Sequence, residues 1–275
     1  MRPTAAVRQR RHTLLFLAEV RAFSPVFLDT EIEMTQVLAH RAEAHAQGRR
    51  YSLVTYVLHA SARVLAAHPD ANAAIRGRAR PRIARFPAVH AKLTLDKTLR
   101  GQRVVLAAVL PDLQLASLAD VQAQVAHYRD GDPERMPEFA GVRALHRLPW
   151  PVGRLAFRTA VRPLRRRAAA VGTFAVTSLG HRPVDGFHSI GGTTITLGVG
   201  RVADRPVVRA GAVVVAPVMR LNLAFDHRVI DGAEAADVLA DIKDRLESFA
   251  ADPADPADPG GAGIATATTA EVAAG

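Results

Sequence analysis

The chain has 275 residues, 49% of them hydrophobic, with 36 Lys plus Arg against 26 Asp plus Glu and a formal net charge of +10. That is ample apolar material for one large domain, and it excludes wholesale disorder. The absence of cysteine rules out a disulfide framework, a thiol nucleophile and a thiolate metal site. No apolar run reaches membrane-spanning length and no signal-peptide core opens the chain, so a cytoplasmic protein is the expectation. The only lysines are Lys92, Lys97 and Lys243. An arginine-dominated surface suits phosphate groups, nucleic acid or anionic lipid, and genome composition alone also supplies arginines.

In chain order, residues 1–12 read as a basic, open arm with Arg8, Arg10 and Arg11 close together. The apolar residues 14–17 start an element that ends near Ser24 and Pro25, because a residue before proline leaves the helical region. Residues 26–34 read as a strand. Thr35 is placed to cap a helix running to Gly48. Ser52 opens another, with Leu53, Val57, Val64 and Leu65 on one face, stopping at His68 and Pro69. Residues 89–110 read as two paired strands around Arg100 and Gly101. Ser117 to Asp120 resembles a capping box, opening a helix through Tyr128.

The next stretch, 130–171, begins as a polar loop with Pro133 and Pro137 and continues into a strongly basic segment, 154–167. Arg154, Arg158, Arg162 and Arg166 fall at successive four-residue steps, one helical face if Pro163 only bends the helix. A solvated or interface helix is the preferred reading; contact with an anionic membrane surface or nucleic acid is the alternative. Residues 172–180 read as a strand. Two further strands, 195–202 and 207–215, follow with turns at 203–205 and 210–211, and 219–225 completes an antiparallel meander. The tail repeats Asp-Pro-Ala and then Gly, Ala and Thr, a composition that cannot bury a core, so 250–275 reads as disordered. The expected plan is a 1–12 arm, a 13–249 domain with 130–171 as a basic insertion, and the tail.

The densest chemistry lies between the last strand and the last helix. Residues 219–225 deliver His227 to a strand's carboxyl end, and Gly232 lets the chain turn before a helix over 233–249. That helix carries Val238, Leu239, Ile242, Leu246 and Phe249 at helical spacing. Asp226, His227, Arg228 and Asp231 place a base, two carboxylates and a guanidinium within six residues. Such a cluster can hold an imidazole neutral and oriented. By residue type alone His227 is an ordinary polar residue at a strand end, Asp231 equally an N-cap, and Asp226 a cap for the turn.

The order Asp226-His227-Arg228-x-x-Asp231-Gly232 resembles the signature of the catalytic domain of dihydrolipoamide acyltransferases, the E2 components of 2-oxo-acid dehydrogenase complexes. Chloramphenicol acetyltransferase shares that fold and the His-x-x-x-Asp-Gly core. Gly172-Thr173-Phe174-Ala175-Val176-Thr177-Ser178-Leu179-Gly180 is similar to the family's Gly-Thr-Phe-Thr-Ile-Ser-Asn-Leu-Gly. Glu33-Met34-Thr35 and Pro69-Asp70-Ala71-Asn72-Ala73 extend the resemblance, which covers roughly 10–129 and 172–249. Three departures stand out: Thr177 replaces the family's serine, Gly191-Gly192-Thr193 replaces Asn-Pro-Pro, and 102–109 lacks a Gly-Leu-Val-Val-Pro phrase.

The resemblance implies a two-layer α/β, chloramphenicol-acetyltransferase-like fold, with a mixed, largely antiparallel sheet packed against helices. It implies a homotrimer, able to assemble further into a cage, with the site between subunits: His227 from one and Thr177 from its neighbour. His227 is the expected general base. Asp231 is expected to hold the turn through an ion pair to Arg10 or Arg11, and the Thr177 hydroxyl to face the tetrahedral intermediate. Ser178 stands beside it on the opposite strand face, and Asp226, Arg228 and Gly232 support the turn. Coenzyme A is the implied substrate, with dihydrolipoamide or another acceptor and no metal. Because the resemblance starts near residue 10, no room precedes it for a lipoyl or peripheral-subunit-binding domain, so either a lipoyl-bearing partner in trans or another acyl donor is expected. The alternative is a catalytically weak E2-like scaffold forming trimers or a cage.

Overall fold

The structure, a computed structural model, describes residues 8–77 and 79–250. The first part of the expected basic arm and the 251–275 part of the expected tail lie outside the described residues. From Arg8 onward the arm is ordered: a 3-10 turn at Arg8–Arg10 runs straight into helix α1 (Arg11–Val20).

Six strands form one sheet: β1 (Pro25–Glu33), β4 (Ala91–Leu99), β5 (Gln102–Leu110), β6 (Phe174–Ser178), β7 (Ile195–Arg209) and β8 (Ala212–Asp226). Their order is β1-β8-β7-β6-β4-β5. The pairs β1/β8, β7/β8 and β4/β5 are antiparallel, while β6 runs parallel to both β4 and β7. A separate hairpin, β2 (Ala73–Arg76) with β3 (Arg82–Arg85), stands beside it. The sheet is therefore mixed and mostly antiparallel, as expected.

Burial follows side-chain periodicity. On β5, Val104, Leu106, Ala108 and Leu110 are buried while the residues between them are not. The β4–β5 turn uses Arg100 (φ 51) and Gly101 (φ 71), the left-handed pair that matches strand twist in a two-residue hairpin. One face of the sheet is covered by α2 (Thr35–Ala46), α3 (Leu53–Ala67), α4 (Leu118–Asp130) and α8 (Gly232–Glu247). Helix α8 contributes Ala235, Val238, Leu239, Ile242 and Leu246, a stripe at helical spacing buried against the sheet and α3. Ser52 caps α3 by accepting from the Thr55 N–H, and Ser117 with Asp120 completes a capping box on α4.

Three expectations are corrected. Pro163 does not merely bend a helix: α6 (Trp150–Val161) ends before it and α7 (Leu164–Val171) starts after it, since proline removes a helical donor and crowds the preceding turn. Arg166 therefore lies on a different helix from Arg154 and Arg158, and Arg162 is the residue that closes α6. A further helix, α5 (Ala140–Arg147), occupies a stretch for which the sequence carried no element signal. Residues 203–205 are not a turn, because β7 continues to Arg209 with one register shift between Val199 and Val202. Among the described residues, the β6 side of β7 has no strand neighbour beyond Ser178, so Asp204, Arg205 and Pro206 sit on an open edge where polar residues and proline are tolerated. Thr35 is the first residue of α2 rather than its cap; its hydroxyl donates to Glu33 Oε1 at 2.6 Å.

The outer half of the β7–β8 hairpin projects past its neighbours. Val208, Val213 and Val215 there are 72%, 73% and 73% exposed.

Candidate active site

Strand β8 ends at Asp226, and the chain turns sharply through His227 to Ile230 before α8. Asp226 is 2% exposed. Its carboxylate accepts from Arg228 Nε at 2.8 Å and Nη2 at 2.5 Å, and from the Arg228 backbone N–H at 3.3 Å. A buried carboxylate needs such a partner, and here the partner sits two residues away, so the pair also fixes the turn. The Arg228 guanidinium lies 5.1 Å from the Phe23 ring centroid.

This brace leaves His227 pointing outward. Its backbone N–H donates to Ser24 O at 2.9 Å, tying the turn to the start of β1. Its side chain is half-exposed, and Nδ1 lies 3.3 Å from Asp231 Oδ1. Asp231 occupies the N-cap position of α8 but its side chain makes no capping bond. With Nδ1–H directed at Asp231, Nε2 is the ring nitrogen left free to accept a proton.

Arg10 and Arg11 do not pair with Asp231 among the described contacts. They start α1, whereas the Ser24 contact to His227 lies just past its other end; ten helical residues separate those ends by about 15 Å. Arg11 instead donates to Leu148 O, and at 3.5 Å to His146 O. Arg10 lines a cleft on the other side of the sheet's centre.

That cleft, about 580 Å³, contains Thr177 and Ser178. Thr94 Oγ1 donates to Thr177 Oγ1 at 2.6 Å, which leaves the Thr177 proton free for an acceptor in the cleft. Strand register shows why one chain does not bring this hydroxyl to His227. Phe225 faces Ile195, which faces Phe174, and Thr177 and His227 leave that row in opposite directions. Five residues along the strands and two strands across put them about 15 to 20 Å apart.

Several groups near these elements were not legible in the sequence. Lys92 on β4 is 6% exposed. Its ammonium bonds to Gly191 O and lies 4.2 Å from the Phe16 ring centroid, and burial, with Arg167 nearby, pushes its pKa down to about 7. His12 of α1 and His146 of α5 meet ring to ring, Nδ1 to Nε2 at 3.0 Å, with His12 Nε2 on Val105 O at 2.9 Å. A lysine inside an apolar strand was the one available signal; nothing in the pattern pairs the two histidines.

The class of fold is defined by this sheet order. Chloramphenicol acetyltransferase has the same fold: TM-score 0.50 at 17% identity, covering 88% of this chain and 96% of that one. Within that class the chain is similar to E2 catalytic cores. Residues 152–252 match the model of the family "2-oxoacid dehydrogenases acyltransferase (catalytic domain)". The cubic core of the pyruvate dehydrogenase multienzyme complex aligns with TM-score 0.66 at 21% identity, covering 90% of this chain and 92% of that one. Dihydrolipoamide acetyltransferase of Azotobacter vinelandii gives 0.67 at 22% over the same shares. The acetyltransferase component of the pyruvate dehydrogenase complex of Bacillus subtilis (strain 168) is 55% identical over 47 residues, 17% of this chain and only 11% of that protein's length. The resemblance expected from the Asp-His-Arg motif is thus found in the family model, in sequence relatives and in the fold.

Proposed function

We propose that the chain catalyses CoA-dependent acyl transfer between thiols, with His227 as general base. The supporting observation is the turn geometry: a buried Asp226–Arg228 pair presents His227 at the strand end with Nδ1 on Asp231 and Nε2 free. In the forward step Nε2 takes the proton of the attacking thiol, and the sulfur bonds to the thioester carbonyl carbon. The oxyanion then accepts a hydrogen bond from Thr177, and collapse expels the second thiolate, which recovers the proton from His227.

Because His227 and Thr177 are far apart within one chain, the working site forms between two copies, and a homotrimer supplies three such sites. The exposed valines of the β7–β8 hairpin support association of copies. Coenzyme A is one substrate, and a dihydrolipoamide carried by a partner in trans is the proposed acceptor or donor. A cytoplasmic location belongs to the same proposal; among the described residues no helix is long and apolar enough to cross a membrane.

The test is acyl transfer from acetyl-CoA to dihydrolipoamide with purified protein, beside its mass in solution. His227→Ala should abolish transfer while melting temperature and mass persist. Wild-type protein that forms trimers but transfers no acyl group with any donor would instead establish the scaffold reading.

A further inference from the structure

A second cleft, about 500 Å³, opens on the far side of the Asp226–Arg228 brace, between α1, α6, α7 and the end of β2. Six arginines line it: Arg21, Arg76, Arg158, Arg162, Arg167 and Arg228. Carboxylates answer only part of this charge. Arg158 and Arg162 share Glu19, at 3.6 and 2.6 Å, and Arg228 is held by Asp226. Arg21 and Arg76 form no ion pair among the described contacts, and Arg167 spends its donors on the carbonyls of Val161 and Gly192. Two carboxylates therefore face six guanidinium groups.

That excess is concentrated rather than spread over open surface. Arg167 is held below the usual arginine range first by burial; Asp226 and Glu19 act against that shift, and Arg228 and Arg76 act with it. Holding several cations together around a concave space costs free energy that a polyanion would relieve. The guanidinium fork fits phosphate oxygens bidentately. The remaining wall is aromatic and aliphatic: Phe16, Phe23 and Phe157 with Ile75, Val161 and Val171. The volume falls in the range of small-molecule sites, and guanidinium groups beside aromatic rings suit a phosphorylated ring system. A broad nucleic-acid or lipid surface would instead call for an exposed, convex array.

We infer that this cleft binds the phosphates and base of a nucleotide carrying two or more phosphate groups. The cleft shares Arg228 and Phe23 with the elements that hold His227, so a nucleotide here lies beside the base. Coenzyme A, through its phosphorylated adenosine, is one source of this chemistry and rests on the acyl-transfer reading; free ADP or ATP is the other. Arg158, Arg162 and Arg167 come from the helical segment 150–171, which gives that segment a ligand-binding role that its charge pattern alone did not assign.

The experiment titrates the full chain by calorimetry with CoA, dephospho-CoA, ATP, adenosine and inorganic phosphate, in wild type and in Arg21→Ala/Arg76→Ala. These two arginines anchor nothing else among the described contacts, so the double variant should melt like wild type. The expected result is nucleotide affinity reduced about tenfold or more in the variant, adenosine binding weakly in both proteins, and weaker nucleotide binding at high salt. CoA binding above ATP identifies the substrate as occupant, with KM for CoA rising and kcat and KM for dihydrolipoamide unchanged. ATP above CoA identifies a free nucleotide. Equal nucleotide affinity in variant and wild type overturns the inference. Acyl transfer that persists while variant and wild type bind the nucleotides equally would remove the cleft and keep the enzyme; nucleotide binding lost in the variant without any acyl transfer would do the reverse.

Discussion

Lys92 offers a sharp test of how charge is buried in this fold. It is sealed beneath Phe16, with a backbone carbonyl but no carboxylate to answer its charge. With its pKa pushed from 10.5 to about 7, protonation favours the unfolded chain by about 5 kcal/mol at or below neutral pH. Replacing it with methionine, an unbranched apolar side chain of similar length, removes that penalty. The change also strips Gly191 O of its donor, costing about 1 to 3 kcal/mol, and removes the cation–π contact, about 1 kcal/mol. Lys92→Met should therefore be more stable than wild type by about 1 to 3 kcal/mol at pH 7. The sign with pH follows from proton counts. Between pH 7 and 10 the unfolded lysine holds its proton and the folded one does not, so wild-type stability rises with pH. The advantage of the variant should shrink by about 1.4 kcal/mol per pH unit and then reverse. Urea unfolding followed through the single tryptophan, Trp150, at several pH values measures this directly. A difference that stays flat from pH 7 to 10 would refute a buried lysine with a lowered pKa.

Other consequences follow from named contacts. His146 is pushed down to about 4 by burial and by His12, and its buried Nδ1 has no partner, so the pair is neutral when folded. Stability present above pH 6.5 should be lost toward pH 4, by about 3 kcal/mol, and thermal melts of His146→Gln should show a flatter acid limb. Asp226→Asn leaves Arg228 without its buried counter-charge and should cost about 3 kcal/mol in denaturant unfolding. Thr177→Val should lower kcat about 100- to 1000-fold with little change in KM, whereas Thr177→Ser should stay near wild type; equal losses in both would remove the hydroxyl from the mechanism.

Much of this was legible because local rules and the fold agree. Ser52 and Ser117 announced their helices, Arg100 and Gly101 marked the turn between β4 and β5, and the α8 stripe predicted its own burial. The histidine turn was readable because its brace, Asp226 with Arg228, is local in sequence. Failures arose where tertiary context overrode a local signal. Asp204 and Pro206 look like turn residues, but an open strand edge tolerates them. The expected partner of Asp231, Arg10 or Arg11, is carried by the length of α1 to that helix's opposite end. The arginine stripe was broken by Pro163, and two of its members, Arg158 and Arg162, turned inward onto Glu19, contacts no periodicity encodes.

The central claim is that His227 works with a hydroxyl from another copy of the chain. Co-assembling inactive His227→Ala subunits with inactive Thr177→Val subunits in equal amounts tests it most directly. Sites shared between copies should restore about a quarter of wild-type acyl-transfer activity, because each interface then has an even chance of an intact residue on either side. Mixed assemblies that stay at the level of the separate variants would contradict a shared site.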